Sequence, residues 1–479
     1  MSVKLLPPPA RNMSAQDLDQ KVETARAAAA VWRRYSLSER VSLIRELWAE
    51  ILSRREALAK VLHDETGKPY AEIETMELGT ADMIVKYYTA NAHRILQDQA
   101  AWRPWLMFNK RTYVRYVPRG LIGIVTPWNL PFMIPAGDSF AAMLAGNAVL
   151  LKPSEWTTRT ALWLEEAIRA SGLLPDGLFA VAVGDGEVGK RVVAESDMVL
   201  FTGSTRAGRA VAEACAGALK PCVLELGGKH PMIVFKDAAL ERAAKAAVWG
   251  SFSNCGQVCV GVERVYVESE IYDQFVELVR REMAGLRQGL GGDVDIGRLI
   301  FPPQLQRVKD HLEDARAKGA HVIGGEVIDE DNLMIAPALV LGANHSMKCM
   351  TEETFGPVMP IMKVDRGEEG VRLSNEGPFG LAGSVWTRDI EKAEFLGLKL
   401  DVGLLGINDV LSHYAVCSLP FGGVKQSGLG RRHSDEGLRG FCWPQSVYIH
   451  EWPANQPELW WFPYDAAKTK LISWLTRFS

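Results

Sequence analysis

Cysteine is scarce, with seven residues in a chain of 479. An odd number cannot all pair within one chain, and sparse thiols in a long sequence are reduced by default, which excludes a disulfide-built scaffold. No Cys/His grouping has zinc spacing. Cys255 and Cys259 stand four apart with no second pair beside them, so no metal is expected. An excess of one charge is lacking too. Lys plus Arg number 54 against 58 Asp plus Glu, which indicates neither a nucleic-acid partner nor an acidic tail. The opening, MSVKLLPPPARNMSAQ, has no apolar core of signal-peptide length, and a cytoplasmic protein is expected. Long apolar runs are absent with one exception. Residues 121–151 carry a single charge, Asp138, and are long enough to span a bilayer. Pro127, Pro131 and Pro135 break that run, with Asn129 among them, so a buried strand, a loop and a buried helix are expected instead.

What is present is ordinary globular composition, 47% hydrophobic and 23% charged. The length implies two or three domains, and no repeat of 20–50 residues is visible. The first hundred residues have helical periodicity, and Ser36 or Ser38 is a plausible N-cap within them. RTYVRYV (111–117) and QSVYIHEW (445–452) alternate like half-exposed strands. From Gly120 to Gly228 short apolar runs (LIGIV, NAVLLK, LFAVAV, MVLF, CVLEL) alternate with helical stretches, the signature of parallel strands with crossover helices. A second such series follows, through MIVF, VERVYVE, HVIGG and ALVLG. The fold class is therefore α/β, with two lobes.

Six segments can carry chemistry, and each has a plainer reading. Gly184 to Gly189 is a literal GxGxxG after a strand, and equally a tight strand-to-helix turn. Gly203 and Ser204 open a helix whose unpaired N–H groups suit a pyrophosphate, or serve only as a cap. Lys152, Ser154 and Glu155 end a strand where open α/β sheets place their sites; in isolation they read as a surface ion pair. A carboxylate at Glu155 facing a ribose 2′ position favours NAD over NADP. Cys259, in NCGQVC, has a polar, Gly-containing approach unlike that of a core cysteine, and Cys255 is its internal competitor. Glu225 ends an apolar run before two glycines, so desolvation would raise it towards a base useful near neutrality; hydrogen bonds from the following amides are the plainer reading. Asn129, between two prolines, is a rigid amide donor suited to an oxyanion, or a turn residue.

Taken in order, VTPWN (125–129), LKPSE (151–155), FTGST (201–205), LELGGK (224–229), NCGQVC (254–259), EETFGPV (352–358) and PFGGVKQSGLGR (420–431) resemble the aldehyde dehydrogenase superfamily. The resemblance covers roughly residues 105–450. It implies a Rossmann-like cofactor domain (1–104 and 119–227), an α/β catalytic domain (228–435), and a small bridging sheet with a C-terminal tail (105–118 and 436–479). The two alternating strands would form that sheet and pair across subunits in a homodimer or homotetramer.

It also implies roles. Cys259 matches the nucleophile, Glu225 the general base, and Asn129 with the Cys259 amide the oxyanion site. Thr126, Trp128, Lys152, Ser154, Glu155, Gly203, Ser204, Leu226, Glu353 and Phe355 match the cofactor side. Gly184 becomes a neighbour of the adenine end, because the phosphates sit at the helix after Gly203. The aldehyde would form a thioester on Cys259, and water activated by Glu225 would release the acid. Retention of Glu225 favours hydrolysis over transfer to coenzyme A. Arg206 follows FTGST where many relatives have Glu, which keeps NADP open behind NAD. Leu130, Ile134, Val258 and Phe421, with Trp128, are the pocket candidates. Their apolarity, with the segment 407–423, points to aromatic or medium- to long-chain aldehydes. The competing readings are a binding protein of the same fold and a thiol esterase. The tail PELWWFPYDAAKTKLISWLTRFS puts apolar residues on one helical stripe, and is expected to pack on its own protein ahead of contacting a membrane surface.

Overall fold

Helices dominate the first hundred residues, and a serine cap gives each of the first two its start. Ser14 accepts a hydrogen bond from the Asp17 amide at the head of Ala15–Trp32. Ser36 closes a capping box with Glu39 on Leu37–Ser53, and Ser38 falls inside that helix. Further on, the chain loosens into a π-helix, Ile73–Gly79, before Thr80–Leu96 resumes α geometry. The structure, a computed structural model, describes residues 9–451, 455 and 457–478.

Five strands form a parallel sheet: Leu121–Val125, Ala148–Lys152, Phe179–Val181, Met198–Thr202 and Cys222–Glu225. Their near-complete burial explains the unbroken apolar runs in the sequence. The long apolar segment resolves as expected, into a strand, a loop, the helix Met133–Leu144 and a second strand. From Leu121–Val125 the chain steps outward to Phe179–Val181, then returns to Met198–Thr202 on the other side. Strand order reverses there, which opens a crevice at the carboxyl ends of Leu121–Val125 and Met198–Thr202. The short strand Gly428–Leu429 pairs antiparallel with Cys222–Glu225 at the sheet edge.

The second sheet runs His321–Gly324, Ala338–Leu341, Val358–Val364, Val262–Glu268, His230–Val234, Ala382–Trp386, Leu404–Ile407. It is parallel except at one edge. His321–Gly324, the HVIGG segment expected in a parallel series, pairs antiparallel with Ala338–Leu341. No crossover helix separates the two strands. The connection is a small ribbon, Val327–Asp329 with Met334–Ile335, and such a connection returns the chain antiparallel.

The two alternating segments pair with each other within the chain, Lys110–Pro118 against Cys442–His450, and Gln99–Ala100 adds a third strand. The tail departs from expectation. Its helix Ala466–Leu475 has no buried side chain, and Leu471 and Trp474 are exposed. The anchor explains this: Glu458 meets Lys110 and His450 on the small sheet, so the tail starts from that sheet rather than from either lobe's core. Among the described residues no helix is long and apolar enough to cross a membrane.

Candidate active site

The two sheets meet end to end. Glu225 is the last residue of its strand, and Leu226 to Lys229 lead directly into His230–Val234. Cys259 lies just before Val262–Glu268. Carboxyl ends of one sheet therefore face amino ends of the other, with these side chains at the junction.

The approach to Cys259 is a tight left-handed turn. Asn254, Cys255 and Gly256 have φ of 51°, 54° and 73°, a conformation that L side chains adopt at a cost. A methyl group at Gly256 would overlap the Gly356 carbonyl, so this loop lies against the loop that carries Glu353 and Phe355. Cys255 is 1% exposed within the core of the second lobe, whereas Cys259 is partly exposed. Burial, with the Glu225 and Glu353 carboxylates, pushes the Cys259 thiol up to about 12, and the Arg432 guanidinium opposes the shift.

Glu225 is 3% exposed, and neither carboxylate oxygen has a hydrogen-bond partner among the described residues. The plainer sequence reading, a Glu satisfied by neighbouring amides, does not hold. Desolvation raises it to about 8; Arg432 and Arg431 pull it down, and Asp138 pushes it up. Glu353 differs, because Oε1 accepts the Gly228 amide at 2.9 Å. Burial still raises it to about 7. Its loop is fixed from below by Glu263, which accepts the Thr354 and Phe355 amides and pairs with Lys229 at 2.6 Å.

Asn129 is 2% exposed. Its Nδ2 donates to the Gln257 carbonyl at 2.9 Å, two residues before Cys259. An amide has two N–H donors, so one remains after this bond.

The crevice gathers most of the remaining sequence candidates. Thr126 follows Leu121–Val125; its amide donates to Lys152, and its buried hydroxyl has no partner among the described residues. Lys152 Nζ lies 3.5 Å from Glu155, and burial lowers its pKa against the pull of that carboxylate. Ser154 accepts the Trp156 amide. Across the crevice, Gly203 donates its amide to the Glu225 carbonyl, and Ser204 caps Thr205–Gly217 by accepting from Ala207. That helix lies directly on Leu226, whose side chain fills the space a methyl on Gly208 would need. Trp128 packs between the Phe301 and Phe355 rings at 5.5 Å from each. Gly184 is the turn before Gly186–Glu195, and the capping residue there is Asp185. An orphaned buried hydroxyl, a buried amine beside a carboxylate and a helix head at a topological switch point together fit a dinucleotide.

Leu130, Ile134, Val258 and Phe421 are all buried. Phe421 packs on Tyr414 at 4.5 Å and on His433 at 5.6 Å. Ile134 also lines a cavity of about 20 Å³, with Asp138, Tyr414, Arg432 and His433 among others. Sequence reasoning missed this cluster. Arg432 pairs with Asp138 at 2.8 Å and donates to Thr202 at 2.5 Å, both inside the protein. The signal was present: Asp138 is the lone charge of the long apolar run, and a buried charge needs a partner.

Known proteins resemble this chain in sequence and in fold. The model of the aldehyde dehydrogenase family matches residues 9–447. The 4,4'-diapolycopene aldehyde oxidase of Methylomonas sp. is 38% identical over 94% of this chain and 84% of its own length. The structure of an NAD-dependent aldehyde dehydrogenase from Sinorhizobium meliloti superposes with a TM-score of 0.88 at 34% identity, covering 95% of this chain and 92% of that one. That of a Mycobacterium tuberculosis aldehyde dehydrogenase complexed with NAD+ gives 0.86 at 31% identity, over 93% and 92%. With a family match spanning both sheets and the junction between them, the chain belongs to the aldehyde dehydrogenase family.

Proposed function

We propose that this enzyme oxidises a hydrophobic aldehyde to the carboxylic acid, with Cys259 as nucleophile, Asn129 and the Cys259 amide as oxyanion donors, and Glu225 as base. The observation that carries the assignment is the Glu225 carboxylate, buried, without a hydrogen-bond partner among the described residues, and electrostatically coupled to the Cys259 thiol. A buried carboxylate left without hydrogen bonds is costly to keep, and a group so placed is available to a water molecule. The remaining Asn129 N–H supplies a fixed donor where charge develops on the carbonyl oxygen. Thr126, Trp128, Lys152, Glu155, Gly203, Ser204, Leu226, Glu353 and Phe355 would hold the dinucleotide. When bound, it supplies the hydride acceptor for the thiol-bound aldehyde. Glu225 then removes a proton from water, and the thioester is released as acid.

Glu155 supports NAD ahead of NADP, because a 2′-phosphate would meet a carboxylate already shared with Lys152. The buried, apolar Leu130, Ile134, Val258 and Phe421 support an aromatic or medium- to long-chain substrate. A panel of benzaldehyde, octanal and succinic semialdehyde, with NAD and with NADP, tests the reading. Expected are NADH production highest with an apolar aldehyde, its loss in Cys259→Ser, and its retention in Cys255→Ser. Full activity in Cys259→Ser would overturn the assignment.

A further inference from the structure

We propose that Lys68 and Glu77, from the N-terminal helical segment, are positioning residues for the oxyanion site; the inference rests on the assignment of Asn129 above. Both are fully interior, 2% and 0% exposed, and they pair with each other. A buried ion pair is weak grounds for stability, since desolvation offsets most of its attraction. What this pair does beyond pairing is specific. Lys68 Nζ donates its second hydrogen bond, at 2.6 Å, to the Asn129 main-chain carbonyl. Glu77 Oε2 accepts the Phe132 amide at 3.1 Å and the Met133 amide at 2.8 Å. The pair therefore clamps the Asn129 loop at both ends, at Asn129 itself and at the head of Met133–Leu144.

The clamp continues to the nucleophile. Asn254 Nδ2 donates to the Asn129 carbonyl and to the Gln257 carbonyl, each at 3.1 Å. Asn129 Nδ2 donates to that same Gln257 carbonyl. The Asn254 amide is in turn held by Glu72 at 2.6 Å. Lys68 thus shares its acceptor with the residue that opens the left-handed turn before Cys259. The two halves of the oxyanion site, the Asn129 amide and the Cys259 main chain, are referenced to one carbonyl. Lys68 stands in the loop after Arg55–Thr66, Glu72 ends the short helix Tyr70–Glu72, and the π-helix Ile73–Gly79, with its wider turn, carries Glu77. Such irregular turns cluster at functional sites.

Neutralising the pair in a Lys68→Met/Glu77→Gln double variant removes both buried charges together, which avoids the uncompensated charge a single deletion would leave. We expect a melting temperature close to that of the parent. We also expect kcat at least about tenfold lower in octanal oxidation with NAD and in cofactor-independent hydrolysis of p-nitrophenyl acetate, with both KM values within about twofold, as misplaced groups lower rate more than binding. A folded double variant with kcat within twofold of the parent in both assays overturns the proposal. Glu77→Gln alone gives a second reading if the double variant does not fold: an unchanged kcat there also overturns it, and a fall with unchanged KM supports it. Cys259→Ser run alongside separates the two claims. Its activity would sink the site assignment, whereas its inactivity beside fully active Lys68 and Glu77 variants would sink only the clamp.

Discussion

At the scale of single residues, burial without partners sets the chemistry. Glu225 is raised to about 8 by desolvation, so near neutrality the proposed base is mostly protonated. Its active form is the carboxylate, which gains population as pH rises. Steady-state kcat is therefore expected to climb through an apparent pKa near 8 when hydrolysis limits turnover, and a pH–rate profile checks this. On the proposed mechanism, Glu225→Gln keeps the acylation step and loses the base. Rapid-mixing absorbance should show a burst of NADH near one equivalent per site, followed by steady turnover reduced about 10²-fold or more, the range general bases supply. A steady rate equal to the parent's would remove Glu225 from the mechanism. Arg432 acts on the same group from behind. Its cation lowers Glu225 while Asp138, itself raised to about 6 by burial, counters it.

Secondary-structure elements place these side chains, and the tightest placement is the turn before Cys259. Gly256 has a positive φ and no room for a side chain. Gly256→Ala adds the left-handed penalty, about 1–2 kcal/mol, to an overlap with the Gly356 carbonyl. We expect kcat/KM at least about tenfold lower and a reduced melting temperature, read by activity and thermal denaturation of one preparation. Much at this scale was legible in the sequence. Parallel strands show as unbroken apolar runs, and Ser36 with Glu39 spells its own capping box. What was not legible depends on partners distant in the chain. His321–Gly324 looks like any short apolar strand, and its direction is decided by a connection whose lack of a helix periodicity does not flag. Lys68 meets Asn129 across 61 positions, and Glu77 sits in a helix whose π geometry leaves no mark on composition. Asp138 was visible as an isolated charge, but Arg432, its counterpart, stands beside a second arginine in a glycine-rich loop.

For the whole molecule, the arrangement is two sheets abutting at their ends and a small third sheet from which the tail departs. The helix Ala466–Leu475 buries none of its side chains within the chain. A chain ending at Tyr464 is thus expected to keep its stability within about 0.5 kcal/mol, as surface changes do, and to keep kcat with octanal. Urea denaturation and steady-state assays check both. A loss of several kcal/mol, dependent on protein concentration, would instead show that a second copy covers the helix.

The short crossing from Glu225 to His230 has a further consequence. Leu226 is pinned by the Ser427 carbonyl at 2.9 Å, and Glu225 is registered against Gly428. The position of the Glu225 carboxylate relative to the second sheet is thereby written into the covalent spacing of four residues and one stapled edge. A single inserted amino acid here would be read out as lost turnover before it was read out as lost folding.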